Sequence, residues 1–175
     1  MEPIAPNCVY LDLETTGLNR TSEDEAVEIA IVGAEGETLL HTRLRPKRLA
    51  VWPGAEAIHG ISPADVQDCP TLDDVLDQVI DAVRGRQLVI YNSAFDLDFL
   101  PPAVVDATAG HCCCMEAFAQ FYGEWDERHD DFRWKKLVFA ADHVGHVWSG
   151  SAHSALADAQ ATRSVWQWLV RHGVF

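Results

Sequence analysis

The feature that most restricts this chain is an acid set inside an apolar strand. Residues Cys8 to Leu13 alternate, with Val9, Leu11 and Leu13 on one face and Cys8, Tyr10 and Asp12 on the other, the two-residue period of a β-strand. The run predicts a buried strand over 8–13. Glu14 follows on the face of Asp12, where the Thr15-Thr16-Gly17 turn begins. Carboxylates held this close repel, and each raises the other's pKa unless a cation neutralises them. Oxygen ligands of this kind select hard ions such as Mg²⁺ or Mn²⁺. An Asp-x-Glu pair alone is short enough to arise by chance as a solvated strand end.

Two further segments carry matching acids. Asp96 lies in Asn92-Ser-Ala-Phe-Asp-Leu-Asp-Phe-Leu100, and His153 precedes Asp158 in His153-Ser-Ala-Leu-Ala-Asp158. From Ser154 the chain has helical periodicity, with Leu156, Ala159, Val165, Trp166, Leu169 and Val170 as the apolar stripe and Gly173 as its stop. Five positions along a helix turn two side chains roughly 140° apart at about 100° per residue. His153 and Asp158 therefore converge only if His153 sits in the loop before the helix. The run Trp148-Ser-Gly-Ser-Ala152 offers a flexible loop, with Ser154 as the expected N-cap. A loop position suits a general base that must approach a bound water.

The order of elements predicts an α/β chain. Strands at 8–13, 26–34 and 37–45, turning at Gly33 to Gly36, suit an antiparallel meander. A Pro- and Gly-bounded segment covers 53–70. An amphipathic helix is predicted over 71–84, with Leu72, Val75, Leu76, Val79, Ile80 and Val83 inward. A strand at 87–91 runs into the Asp96 helix, capped by Asn92 or Ser93 and stopped at Pro101-Pro102. Helices near 114–123 and 134–144 precede the last one. A meander followed by alternating helices and strands predicts a mixed sheet with helices on its faces. No repeat or linker divides the chain, so one domain over 1–175 is expected.

Together the three segments closely resemble the motifs of DEDDh-type 3′→5′ exonucleases. This branch of the DnaQ-like group has a ribonuclease H-like fold and includes the proofreading (epsilon) subunit of bacterial DNA polymerase III. The resemblance runs from Val9 to about Leu169 and takes in Ala57-Ile-His-Gly-Ile-Ser62, the stretch 71–84 and Leu88-Val-Ile-Tyr-Asn92. A histidine five residues before the last Asp, rather than a tyrosine four before it, marks the branch.

The resemblance implies a five-stranded mixed sheet flanked by helices, with Asp12, Glu14, Asp96 and Asp158 as metal ligands and His153 as general base. It implies Mg²⁺ or Mn²⁺ as a pair of ions roughly 3.5–4 Å apart, one on Asp12, Glu14 and Asp158 and the other mainly on Asp12, with Asp96 acting largely through water. It transfers contacts with the terminal nucleotide to Thr15, Leu18, His59 and Phe95, Leu18 as an apolar wedge against the last base. The implied reaction releases nucleoside 5′-monophosphates from 3′ ends of single-stranded DNA, in proofreading or repair. RNA 3′-trimming, as by ribonuclease T or oligoribonuclease, is the alternative, because nothing in these motifs reads a 2′-hydroxyl. Tyr91 stands where the proofreading subunit usually has histidine, and the long tail that tethers that subunit to its polymerase is missing.

Composition narrows the setting. No segment reads as a signal peptide or membrane span. Five cysteines, three of them consecutive at 112–114, do not form a disulfide framework, so a reducing cytoplasm is expected. His111 with Cys112 to Cys114 is a poor zinc site, because neighbours on a strand face opposite ways; small buried hydrophobes are expected there. The net charge of −14 is unlike that of a dedicated duplex binder. An enzyme gripping a few terminal nucleotides needs few phosphate contacts, and weak, distributive action follows. Arg43, Arg45, Lys47 and Arg48, and Arg128, Arg133, Lys135 and Lys136, are candidate backbone contacts in a chain where most such charge is solvated.

Overall fold

A computed structural model describes residues 5, 7–18, 23–148 and 153–174. Five strands form one sheet in the order β3-β2-β1-β4-β5: β1 (Cys8–Thr15), β2 (Ala26–Val32), β3 (Thr38–Arg43), β4 (Gln87–Ile90) and β5 (Gly110–Cys113). The first three pair antiparallel, while β4 and β5 continue the sheet in parallel with β1. This is the mixed, helix-flanked sheet that the element order predicts.

Alternation along the central strands sorts the core into two layers. Val9, Leu11, Leu13, Ile29, Ile31, Leu88 and Ile90 face α3 (Leu76–Val83) and α5 (Pro102–Ala107). Burying each of these larger side chains contributes about 1.5–3 kcal/mol. Tyr10, Ala30, Val32 and Val89 face the other layer, built from α6 (Cys114–Tyr122), α7 (Leu137–His143) and α8 (Ala155–Arg171). Asp12, Glu14 and Glu28 belong to this second face by register. Helix α8 buries Ala155, Ala157, Ala159 and Ala161 before its larger residues begin, and small side chains let its N-terminal half lie close over β1 and β2. At 17 residues it spans about 25 Å. It ends at Arg171, with Gly173 following at φ 72°.

Several boundaries differ from the sequence reading for local reasons. Strand β1 continues through Glu14 to Thr15, with an irregular register after Glu14. The helix expected from residue 71 begins as a 3-10 turn, Asp73–Val75, because the backbone N–H and hydroxyl of Thr71 both donate to Asp74 Oδ2, at 2.8 and 2.7 Å. The 53–70 segment holds two short helices, α1 (Pro53–His59) and α2 (Pro63–Val66), each with a proline in its first turn. Beneath them Trp52 is buried with Val27, Ile61 and Val66, and its indole N–H donates to Ile61 O at 2.8 Å. The Asp96 helix, α4 (Ser93–Asp96), is one turn long and passes through a 3-10 turn, Leu97–Phe99, before Pro102 opens α5. A hairpin, β6 (Trp125–Asp126) with β7 (Asp131–Phe132), delays α7 to Leu137. On β5, Cys112 and Cys113 are half-buried and His111 is exposed, while Cys114 is fully buried; all five thiols are free.

Candidate active site

The site forms where β1 and β4 part. Their pairing ends at Leu11 opposite Ile90, after which β4 turns away into α4. The next β1 donor on that edge, the Leu13 N–H, would be an orphan in the interior. Asp96 takes it: Oδ1 accepts from Leu13 N at 3.2 Å. A side chain thus replaces the lost strand and leaves a cleft at the sheet edge.

Asp12 and Glu14 project into that cleft, and α8 brings Asp158 over it. One carboxylate oxygen from each lies within 4.8 Å of the other two. The oxygens crowd one another. Burial first, then Asp96, Asp158, Glu14 and Glu28, drives the Asp12 pKa well above the ordinary range. Glu14 rises to about 8 through burial and then through Asp158, Glu28 and Asp96. Asp96 is also raised, by burial above all, against the lowering pull of the Leu13 N–H. Asp158 rises with burial, moderated by the charge and backbone N–H of His153. Among the described residues its buried Oδ1 has no hydrogen-bond partner. Converging carboxylates and an unsatisfied inward oxygen are what a divalent oxygen-seeking cation repairs, so these residues fit a possible metal site. Asp96 lies beside the three mutually close acids.

His153 stands immediately before α8 in left-handed backbone, φ 69°. Ser154 occupies the N-cap position, yet its side chain makes no capping bond. The cap comes from elsewhere: Glu28 Oε2 accepts the Ala155 N–H at 2.8 Å. The expected flexible run before His153 includes 149–152, which lie outside the described residues.

Beside Glu14 opens a largely apolar cleft of about 520 Å³, lined among others by Leu18, Trp52, Ile58, His59 and Phe95. Leu18 is 81% exposed and Ile58 63% exposed, apolar groups held out in solvent at the mouth. Phe95 stacks at a tilt on Phe99, with centroids 5.0 Å apart. His59 is locked: its Nδ1 accepts from Ile61 N–H at 3.0 Å, so Nε2 carries the proton and donates to Thr15 O at 3.2 Å. Burial lowers its pKa, which keeps the ring neutral. The Thr15 hydroxyl is buried and donates to Gly17 O at 2.8 Å; here the threonine shapes the turn, and its wall of the cleft is backbone.

The basic clusters are mostly engaged within the protein. Arg43 pairs with Asp65 at 3.2 Å, Lys47 with Asp73, Arg133 with Glu124 and Asp126, and Lys135 with Glu124. Tyr91 sends its hydroxyl to Lys135 O at 2.8 Å, away from the acids. The residue that motif reading passed over is Glu28, 6% exposed in a strand whose every residue is buried. The signal was present in Ala26-Val-Glu-Ile-Ala-Ile-Val32, where one acid interrupts an otherwise apolar run.

Comparison with known proteins gives the family and the fold. The family model described as Exonuclease, RNase_T, matches residues 9–165. An uncharacterised exonuclease of Escherichia phage 186, CP81, is 32% identical over 181 residues, covering 94% of this chain and 89% of that protein. The epsilon subunit of DNA polymerase III from Escherichia coli K12 is 38% identical over 100 residues, which is 53% of this chain and 41% of the subunit. Among solved structures, Exonuclease X in complex with 5′-overhanging duplex DNA superposes with a TM-score of 0.74 at 23% identity, over 96% of this chain and 93% of that one. With its ribonuclease H-like sheet and these relatives, the chain belongs to the RNase_T exonuclease family, as a DnaQ-like 3′→5′ exonuclease.

Proposed function

We propose that this protein uses divalent cations to remove nucleoside 5′-monophosphates from the 3′ ends of single-stranded DNA. The observation that carries the reading is the convergence of Asp12, Glu14 and Asp158 within 4.8 Å at the rim of an apolar cleft of nucleotide size. Bound there, a pair of Mg²⁺ or Mn²⁺ ions would lower the pKa of an attacking water and neutralise the departing 3′ oxygen. Asp12, Glu14 and Asp158 would hold the cations, and Asp96 would add its charge beside them. His153, in the loop just before α8, accepts the proton of the attacking water. Leu18, His59 and Phe95 flank the last base and sugar, and Thr15 supplies the backbone turn beneath them. Stacking on apolar and aromatic faces tolerates any base, which suits an enzyme that must digest whatever sequence it meets.

DNA is favoured by the relatives, which include a DNA polymerase subunit and an exonuclease bound to DNA. A role in proofreading or repair, alongside a polymerase or repair assembly, follows from the same likeness, and five free thiols suit a reducing cytoplasm. Because Arg43, Lys47, Arg133 and Lys135 of the basic clusters pair internally, duplex affinity is weak and salt-sensitive. The test is digestion of 3′- and 5′-blocked DNA and RNA oligonucleotides with Mg²⁺ or Mn²⁺. Shortening of single-stranded DNA from an open 3′ end, with 5′-mononucleotides as product, is the expected result. Faster loss of RNA makes it a trimming exoribonuclease, and binding of either strand without cleavage ends the enzymatic proposal.

A further inference from the structure

We infer that Glu28 is a positioning residue, holding the N-terminal end of α8 so that His153 stands over the acids. The inference rests on the reading of His153 as the general base. Glu28 sits on β2 directly opposite Glu14, on the sheet face that carries the metal-binding acids. Both of its oxygens are engaged: Oε2 accepts the Ala155 N–H at 2.8 Å, and Oε1 lies 3.0 Å from His41 Nε2. It is therefore spent on the protein, while Asp158 Oδ1 has no partner among the described residues.

Two costs indicate that this carboxylate is kept for a purpose beyond stability. Its charge contributes to raising the pKa values of Asp12, Glu14 and Asp158, so an uncharged residue at this position would relieve repulsion in the metal-free protein. It also works against local strain. His153 lies in left-handed backbone at φ 69°, a conformation costing roughly 1–2 kcal/mol for a residue with a Cβ. Ser154 does not cap the helix with its side chain. Beside the backbone N–H of His153 that meets Asp158, the bond from Ala155 to Glu28 is thus the long-range tie, across 127 positions of sequence, that fixes the helix start two residues after His153. Without it the first turn frays and His153 relaxes toward ordinary backbone. Asp158, deeper in the helix with its N–H bonded to Ser154 O at 3.0 Å, moves less.

The test is a double-mutant cycle on a 3′-labelled single-stranded oligonucleotide with Mg²⁺. Displacement of the base predicts that Glu28→Ala lowers kcat by about 10- to 100-fold, with KM within about twofold. Glu28→Gln recovers most of that rate, since its amide oxygen can still accept from Ala155 and its NH₂ can donate to His41. In a His153→Ala background, adding Glu28→Ala costs less than about twofold, because residues acting through one another are not additive. Should the alanine variant not fold, Glu28→Asp makes the same test, keeping the charge but retracting it from Ala155. Equal kcat losses in both backgrounds, or an unimpaired Glu28→Ala enzyme beside a crippled His153→Ala one, overturn the inference. A fully active His153→Ala enzyme instead defeats the general-base reading beneath it.

Discussion

The two regions that meet at the site are held in different ways. Asp12 and Glu14 belong to the central strand, where Asp12 is opposite Ala30 and Glu14 opposite Glu28 in an antiparallel ladder that keeps its register up to Glu14. Where the parallel neighbour leaves, Asp96 supplies the missing acceptor. Across the cleft, the start of α8 has no ladder at all. His153 is in left-handed backbone, its neighbouring serine hydroxyl caps nothing, and one buried glutamate from a distant strand accepts the first helical N–H. Of the proposed cation ligands, Asp12 and Glu14 are thus built on the sheet and Asp158 on the first turn of α8, while the proposed base stands just outside both, beside the Glu28 tie. Ligands for paired ions require fixed spacing, whereas a base must reach a water and withdraw. The difference predicts that substitutions on the two sides fail in distinguishable ways.

The largest effect belongs to the proposed cation ligands, Asp12 on the strand and Asp158 on α8. Asp12→Ala and Asp158→Ala should each abolish hydrolysis, by at least about 10³-fold, the upper scale for loss of one preorganised electrostatic group. Calorimetric titration with Mn²⁺ should also show weakened binding in both. Retained metal affinity together with lost activity would shift these acids out of the ligand set.

His153→Ala removes the proposed base alone. Its rate should fall by about 10²- to 10⁴-fold, the range for a general base, while Mn²⁺ affinity stays near that of the unaltered protein. If His153→Ala weakened metal binding as much as Asp158→Ala, the proposed division between ligands and base would disappear.

How much of this was legible in the sequence also divides by region. The strands of the sheet and the burial of α8 follow from period-2 and period-3.6 patterns in Val9 to Leu13 and Leu156 to Leu169, because those patterns are imposed by the core itself. The acids could be placed because they interrupt those patterns. Helices α1 and α2 were not legible as such: α1 buries no residue, so it has no apolar stripe to read, and it is set instead by Pro53 at its start and Gly60 in left-handed backbone at its end. The hydroxyl of Ser62 and its N–H, both donating to Asp65 Oδ2, fix the start of α2 in the same local way. Ser154 was expected as a cap from composition, yet tertiary contact gave that role to Glu28. A bond spanning 127 positions leaves no periodic trace.

A smaller effect sharpens the comparison at the cleft. Leu18→Ala or Phe95→Ala should raise KM by about tenfold, in line with roughly 1–3 kcal/mol per stacked base, while kcat changes little. Titration of a non-cleavable oligonucleotide, with Ca²⁺ in place of Mg²⁺, measures the binding loss directly. A fall in kcat with unchanged KM would mean that these side chains organise the acids rather than hold the base.

The smallest effect is thermal, and it isolates the proposed cation ligands by their charge. In the metal-free protein Glu14 titrates at about 8 rather than 4.5, and Asp12, Asp96 and Asp158 are shifted in the same direction. For an acid raised on folding, the native state retains protons that the unfolded chain has released. The stabilisation is present below the unfolded pKa and is lost as pH rises through the folded one. His59, lowered by burial from 6.5, opposes this trend only below about pH 6.5, its unfolded value. Between pH 6.5 and 8 the acids therefore govern the slope, and the melting temperature without metal should fall by several degrees, each 1 kcal/mol being about 2–4 °C for a chain of this size. Saturating Mg²⁺ should flatten or reverse that slope, since the cation binds the ionised carboxylates and stabilises the folded state by mass action. Asp12→Asn removes one of the crowded charges, so it should melt higher than the unaltered protein at pH 8 without metal and gain less from Mg²⁺. A metal-free melting temperature that climbs across this interval would mean that these carboxylates are not crowded in the folded protein, and the cation site would lose its electrostatic basis.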